Sequence, residues 1–178
     1  MNNYTHVSFN YNNIEILNAI NDYTEYGARS CSTEEVDKIN DILNLKYRAY
    51  AMLYFNLPPC RSAQIHIDED SLNEKTTLFK FALNLPLLNA DKTKMNWWSK
   101  KDSSIKDEYK IGVAYAKYKI LQLEDAKCID SVFYEQTMLV DIYNYHNVEN
   151  TTNKPSHFVS LRFDDDVSKE MIIDSLTI

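Results

Sequence analysis

Glycine is scarce in this chain, because only Gly27 and Gly112 occur among its 178 residues. Phosphate-binding loops need several closely spaced glycines, since the backbone must approach the phosphates. Neither a GxGxxG motif nor a P-loop can be written in this sequence. Nucleotide chemistry by those two routes is therefore excluded.

Cysteine is also sparse, and Cys31, Cys60 and Cys128 form no CxxC pair. An odd number of widely separated cysteines predicts reduced thiols in a cytosol rather than a disulfide framework. The amino terminus, MNNYTHVSFN, lacks a basic stretch followed by an apolar segment, and no apolar run approaches the roughly 20 residues that span a bilayer. We expect a soluble, cytoplasmic protein with no membrane partner.

Positive charge is in deficit, with 19 Lys and Arg against 26 Asp and Glu and a formal net charge of −7. General affinity for nucleic acid depends on Lys and Arg neutralising phosphates, so no nucleic-acid partner is indicated. The hydrophobic content of 44% and the aromatic content of 12% are ample for one core. The length predicts a single domain, 1–178.

Helical signals are confined to the two ends of the chain. Ser32 and Glu35 match an S-x-x-E capping box, and the apolar residues that follow at helical spacing predict a helix over 33–45. A weaker helical pattern covers 14–23. The tail over 167–176 is predicted to form a short closing helix, with acidic residues before its start.

Alternating apolar and polar residues begin after residue 47 and predict strands. The predicted strands cover 47–56, 62–68, 77–88, 138–143, 145–149 and 158–163. Residues 150–153 resemble a turn, which predicts that the last two strands form a β-hairpin. The segment 103–125 fits either strand or helix and is left open.

The residues with most chemical interest lie on two of these strands. His66 and Asp68 are two residues apart, so their side chains point to the same face about 7 Å apart along the strand. His146, on a second strand, supplies a third ligand and completes the 2-His-1-carboxylate set of open-site non-haem Fe(II) proteins. The other two histidines, His6 and His157, are expected on the surface.

These residues and their surroundings resemble the Fe(II)/2-oxoglutarate-dependent oxygenases, and among them the aspartyl/asparaginyl β-hydroxylase-like group and its small phage relatives. The resemblance covers roughly 57–163. The segments that carry it are Leu57-Pro58-Pro59, Ile65-His66-Ile67-Asp68, Phe81 to Leu87 with Asn89, Met95-Asn96-Trp97-Trp98, Met138 to Asn150, and Phe158 to Phe163.

The resemblance implies a mainly β fold with flanking helices, a double-stranded β-helix of the jelly-roll or cupin type. We expect at least seven short strands in two antiparallel sheets, with the capped helix outside one sheet. A helical or irregular flank would occupy 1–46, the barrel core 47–163 and a tail 164–178. If the chain is phage-encoded, its compartment is the host cytoplasm.

The resemblance also implies that His66, Asp68 and His146 hold Fe(II), while 2-oxoglutarate chelates the metal and a basic residue grips its far carboxylate. The family commonly places that arginine on the return strand, where this chain has Ser156. Arg162 is the first candidate instead, although the hairpin register puts it about 16 Å beyond the residue opposite the distal histidine.

Three outcomes remain open for this cosubstrate. An altered register brings Arg162 closer, Lys80 or Arg61 supplies the charge, or 2-oxoglutarate is not bound. Asn84 is a second cosubstrate candidate through its side-chain amide. Trp97 and Trp98 either wall a substrate pocket or place one ring in the core and leave the other partly exposed.

The leading hypothesis is an oxygenase that hydroxylates a C–H bond of a small molecule or peptide. A cupin-like metal protein without 2-oxoglutarate chemistry is the second, and Ser156 favours it. The third is a non-enzymatic jelly-roll binding or structural module, in which His66 and His146 are satisfied barrel histidines.

Overall fold

A computed structural model describes residues 3–21, 24–69, 80–111, 117–164 and 166–176. Within these ranges the chain is mainly β, and none of its helices has the length and apolar character needed to cross a membrane. In chain order the elements are β1 (Tyr4–His6), α1 (Asn13–Ala19), β2 (Gly27–Ser30), α2 (Thr33–Leu43), β3 (Ala51–Leu57), β4 (Arg61–Ser62), β5 (Ile65–Glu69), β6 (Phe81–Leu88), β7 (Thr93–Lys100), β8 (Glu108–Ile111), β9 (Lys117–Leu121), β10 (Ala126–Phe133), β11 (Met138–Asp141), β12 (His146–Asn150), β13 (Ser156–Arg162) and α3 (Lys169–Leu176).

The strands form two antiparallel sheets. Sheet A has the order β1-β11-β6-β13-β3-β2, and sheet B has the order β10-β7-β12-β5-β9-β8, with β4 pairing to β12. From β3 onward the chain crosses repeatedly between the sheets, and most neighbouring strands, β8 and β9 excepted, are distant in sequence, as in a jelly-roll. The predicted class, mainly β with two antiparallel sheets of jelly-roll type, is confirmed.

The helices cover the outer face of sheet A. Ser32 and Glu35 form the predicted capping box at the start of α2. This helix ends at Leu43, two residues before the predicted end, because Asn44 adopts a left-handed conformation with φ of 49°. Apolar residues of α1, α2 and α3 form one core with the outward side chains of sheet A, including Met52 and Tyr54 of β3.

The predicted β-hairpin between 145–149 and 158–163 is wrong. β12 pairs with β5 and β7 in sheet B, whereas β13 pairs with β3 and β6 in sheet A. The intervening segment crosses from one sheet to the other. Asn150 explains the crossing, because its buried Nδ2 donates to the carbonyl oxygens of Leu57, Pro58 and Lys154 and ties the two sheets together.

The segment that the sequence left open, 103–125, contains strands. β8 and β9 pair with each other, and a short 3-10 turn follows at Leu123–Asp125. Residues 112–116 of this segment lie outside the described residues, as do residues 77–79 of the strand predicted over 77–88 and residues 22 and 23 of the helix predicted over 14–23.

The space between the sheets is only partly filled. A second apolar core that includes Met95, Trp97, Tyr134 and Phe158 lies between β7 of sheet B and β6, β11 and β13 of sheet A. It does not extend fully beneath β5 and β9. The site described below occupies that remaining space.

Glu35 has a second role beyond the capping box. Its carboxylate is 2% exposed and accepts hydrogen bonds from Arg29 Nη2 at 2.8 Å and from the backbone nitrogens of Ser32 and Asn21, both at 2.7 Å. Burial raises the pKa of Glu35, but these donors outweigh burial and lower the pKa to about 2. Glu35 therefore joins α2 to the segments before it most strongly while ionised.

We expect the carboxylate of Glu35 to stabilise the fold above its unfolded-state pKa, and this contribution to be lost as the pH falls towards 2. Glu35→Gln should lower the free energy of unfolding by about 1–3 kcal/mol near neutral pH. The difference from the wild type should shrink near pH 3. Urea denaturation near neutral pH and near pH 3 measures this free-energy difference, with Glu34→Gln, at an exposed position, as the control. A loss of unfolding free energy in Glu35→Gln that is equal at the two pH values would contradict the prediction.

Candidate metal centre

The three predicted ligands come together on the inner face of sheet B. His146 of β12 lies directly opposite His66 of β5 in the strand register, and Asp68 lies two residues further along β5. One ligating atom from each residue lies within 4.8 Å of the others. Asp68 and His146 are buried, with 8% and 5% exposure, whereas His66 is half-buried. The cluster could hold a metal ion.

Both imidazole rings are oriented by the backbone. Nδ1 of His66 lies 2.7 Å from the carbonyl oxygen of Gln64, and Nδ1 of His146 lies 2.8 Å from that of Asn144. A carbonyl oxygen only accepts hydrogen bonds, so each Nδ1 carries the proton. Nε2 of each ring is then the metal-binding atom, which is the arrangement that backbone carbonyls commonly impose on histidine ligands.

The spacing between His66 and Asp68 suits a shared ion. Nε2 of His66 lies 3.2 Å from Oδ1 of Asp68. Two ligands that each lie 2.0–2.2 Å from a metal, at a right angle, are about 3 Å apart. Without a metal, a proton on Nε2 bridges this pair; a bound ion would take its place, as metal binding generally displaces protons from its ligands.

The pKa shifts of the three candidate ligands follow from burial and from their mutual contacts. Burial raises the pKa of Asp68, but the hydrogen bond from His66 and the charges of His66 and Arg162 hold it well below its usual range. Burial, followed by the charge of His66, lowers the pKa of His146 to about 4. Burial lowers the pKa of His66, but the bond to Asp68 raises it overall. Asp68 is thus charged and His146 neutral at neutral pH.

Arg162 faces the cluster from the other sheet. Its Nη2 lies 3.1 Å from Oδ2 of Asp68, and the arginine is only 5% exposed. The predicted distance of about 16 Å assumed the hairpin and is wrong, because β12 and β13 belong to different sheets. Arg162 is therefore close to the candidate ligands because the chain crosses between sheets, not through an altered hairpin register, and its role in binding 2-oxoglutarate stays a prediction.

The other residues considered for this role occupy three different environments. Ser156, at the usual arginine position, is fully buried and hydrogen bonds Thr93. Arg61 lines the cavity next to the cluster. Lys80 is exposed and is not among the lining residues.

A buried chain of hydrogen bonds extends from Arg162 into sheet A. Nη1 of Arg162 donates to Ser160, whose hydroxyl donates to Oδ1 of Asn84. Nδ2 of Asn84 donates to the hydroxyl of Tyr134 at 2.8 Å, and this hydroxyl donates to the sulfur of Met95. Asn84 lines the cavity, and through Ser160 it also holds Arg162 in position. Its role as a cosubstrate donor stays a prediction.

Three further residues of this site were not predicted from the sequence. Ser160 shares the strand parity of Arg162, so alternation along β13 could have identified it. Tyr118 makes an edge-to-face contact with His66 at 5.1 Å, but it lies in the segment left open. Tyr134 follows the end of β10, and no sequence signal marks it.

A cavity of about 550 Å³ lies between the sheets beside the cluster. Its wall carries the three candidate ligands, Arg162 and Asn84, together with apolar side chains of β3, β12 and β13. The three candidate ligands of sheet B thus lie on one side of a position that could hold a metal ion, and the opposite side faces the cavity. An open side is what a metal needs in order to bind a substrate or cosubstrate.

Trp97 and Trp98 do not wall this cavity. Trp97 is fully buried and donates from Nε1 to the carbonyl oxygen of Asp141. Trp98 is partly exposed on the other face of β7 and donates to Asn147. The alternative prediction, one ring in the core and the other partly exposed, is confirmed.

The two remaining histidines, His6 and His157, differ in their exposure to solvent. His6 is exposed, as expected. His157 is only 7% exposed and its Nδ1 hydrogen bonds the hydroxyl of Tyr54, so its predicted surface position is wrong. Its odd position on β13 turns it towards the helix side of sheet A, away from the cluster.

Comparison with protein-family models and with curated proteins finds no match to this chain. The resemblance to the 2-oxoglutarate-dependent oxygenases therefore stays a prediction.

We expect the protein to bind one divalent ion per chain and His146→Ala to abolish stoichiometric binding, because two remaining ligands do not hold an ion firmly. Metal analysis after dialysis against Fe(II) or Mn(II) measures this. His6→Ala is the matched control, since it removes an exposed histidine outside the cluster. Equal metal content in wild type and His146→Ala would contradict the assignment.

The same ion should stabilise the fold. At a free concentration about 100 times its Kd, a ligand that binds only the folded state adds about 2.7 kcal/mol to the free energy of unfolding. We expect Mn(II) to raise the urea midpoint of the wild type, EDTA to reverse the change, and Asp68→Asn to remove most of it. A wild-type urea midpoint that does not change when Mn(II) is added would exclude a specific metal site.

Proposed function

We propose that this protein is a non-haem Fe(II) oxygenase that uses O2 and 2-oxoglutarate to hydroxylate a C–H bond of a small molecule or peptide. One observation carries the proposal. His66, Asp68 and His146 converge on one side of a metal position that opens into a cavity, and the buried cation Arg162 faces them from the other sheet.

The chain's own residues have distinct tasks in this proposal. His66, Asp68 and His146 hold the iron, and the carbonyl oxygens of Gln64 and Asn144 keep both rings turned with Nε2 towards it. The iron, when bound, supplies O2 activation coupled to the breakdown of 2-oxoglutarate into succinate and CO2. The apolar wall of the cavity keeps bulk water from the reacting groups.

Arg162 is the residue that suits a diacid cosubstrate. 2-Oxoglutarate has two anionic ends, and the site offers a metal position for one and the guanidinium of Arg162 for the other. A guanidinium has five N–H donors in a planar fork and binds carboxylates in a bidentate manner. Ser160 and Asn84 fix its position from behind.

One observation favours a second candidate, a cupin-like metal protein without 2-oxoglutarate chemistry. Arg162 already neutralises Asp68 through a contact of 3.1 Å, so its charge serves the ligand set directly. In that case Arg162 is a positioning residue for Asp68, and no diacid is needed.

The test follows the conversion of 2-oxoglutarate to succinate with Fe(II), ascorbate and O2. We expect slow turnover in the wild type without added substrate and none in His146→Ala. Arg162→Ala should weaken 2-oxoglutarate binding by about 2–5 kcal/mol at saturating Fe(II), because a buried charge-assisted partner is lost. Arg162→Lys, which keeps the charge, should recover part of the binding.

Arg48→Ala is the matched control, because Arg48 forms its ion pairs on the exposed side of α2. Iron binding without conversion to succinate, together with an Arg162→Ala variant that changes only metal affinity, would support the cupin-like candidate. Absence of any metal binding would leave a non-enzymatic module.

A further inference from the structure

The inner face of β3 is less buried than its outer face, which is the reverse of an ordinary sandwich. Met52 and Tyr54 point to the helices and are 1% and 2% exposed. Leu53 and Phe55 point between the sheets, yet both are only partly buried. They line the cavity, so an apolar surface remains uncovered inside the fold.

This apolar surface includes side chains of both sheets. Phe55 stacks on Phe158 of β13 with ring centroids 4.4 Å apart, and both rings line the cavity. Leu57 and Val148 line it as well. A cavity of about 550 Å³ lies within the range of small-molecule sites, which are mostly apolar with a few polar groups.

The charged residues of the cavity wall are mainly basic, although the protein as a whole is acidic. Arg61 and Lys110 line the cavity and are exposed. Among the described lining residues, the single carboxylate is Asp68, which is bound by His66 and Arg162.

Both exposed cations have a relation to Gln64, which also lines the cavity. Nζ of Lys110 reaches Oε1 of Gln64 at 3.4 Å, and Gln64 lies three residues after Arg61 in the chain. Gln64 also orients His66 through its carbonyl oxygen. Lys110 therefore contacts a residue that positions a candidate metal ligand.

We infer that the cavity binds an organic acid with an apolar body, its carboxylate beside Lys110 and Arg61 and its apolar part between β3 and β12. As the substrate of the oxygenase this inference rests on the proposed function, and it names the substrate class. A C–H bond of the apolar part would then face the metal position.

The test measures binding of octanoate by calorimetry, with octan-1-ol as the uncharged control. EDTA is present throughout, so the result is independent of iron. We expect the acid to bind at least about 10-fold more tightly than the alcohol, because only the acid forms charge-assisted bonds. The double variant Arg61→Gln/Lys110→Gln should remove that preference and leave binding of the alcohol unchanged.

Two further variants complete the design. Leu53→Gln should weaken the binding of octanoate and of octan-1-ol alike, since it alters the apolar wall. Lys127→Gln, at an exposed position of β10, should change the binding of neither ligand. Equal affinity for acid and alcohol, an acid preference that survives the double variant, or binding of neither ligand would overturn the inference. Octanoate binding as expected, together with no stoichiometric metal after the separate dialysis against Fe(II) or Mn(II), would overturn the proposed function alone.

Discussion

A buried carboxylate is stable only when its oxygens have charged or hydrogen-bonding partners, and Asp68 takes one partner from each sheet. His66 on its own strand contacts Oδ1, and Arg162 on the opposite sheet contacts Oδ2. This contact is a polar link across the interior of the sandwich. Its geometry sets how closely β5 approaches β13, and therefore where the candidate ligands and the cavity lie.

The rest of the interior is arranged around that link. On one side, Trp97 and its apolar neighbours fill the space between the sheets. On the other side the space is open, and the helices pack behind sheet A. Arg162 itself is braced from sheet A by Ser160 and Asn84, so the cation does not depend on the cavity's contents for its position.

The sequence allowed local features to be predicted better than the pairing of distant strands. Parity along β5 correctly placed His66 and Asp68 on one face, and the capping box correctly began α2, because both depend on residues a few positions apart. The hairpin was wrong because residues 150–153 have the composition of a tight turn, whereas the actual path depends on Asn150 binding carbonyl groups of a distant segment. The position of Arg162 follows from that path, so no local pattern could have given it.

The two faces of β3 differ in what a substitution there would affect. Its outward side chains pack beneath the helices, and its inward side chains border open space. Changes at Leu53, the inward cavity-lining residue that does not belong to the second core, should therefore cost little stability, while the outward positions keep the sheet in place. Substitutions on the inward face of such a strand can change which ligand binds, whereas those on the outward face mainly affect folding. Leu53 is therefore a suitable position to vary in a directed-evolution library aimed at ligand preference.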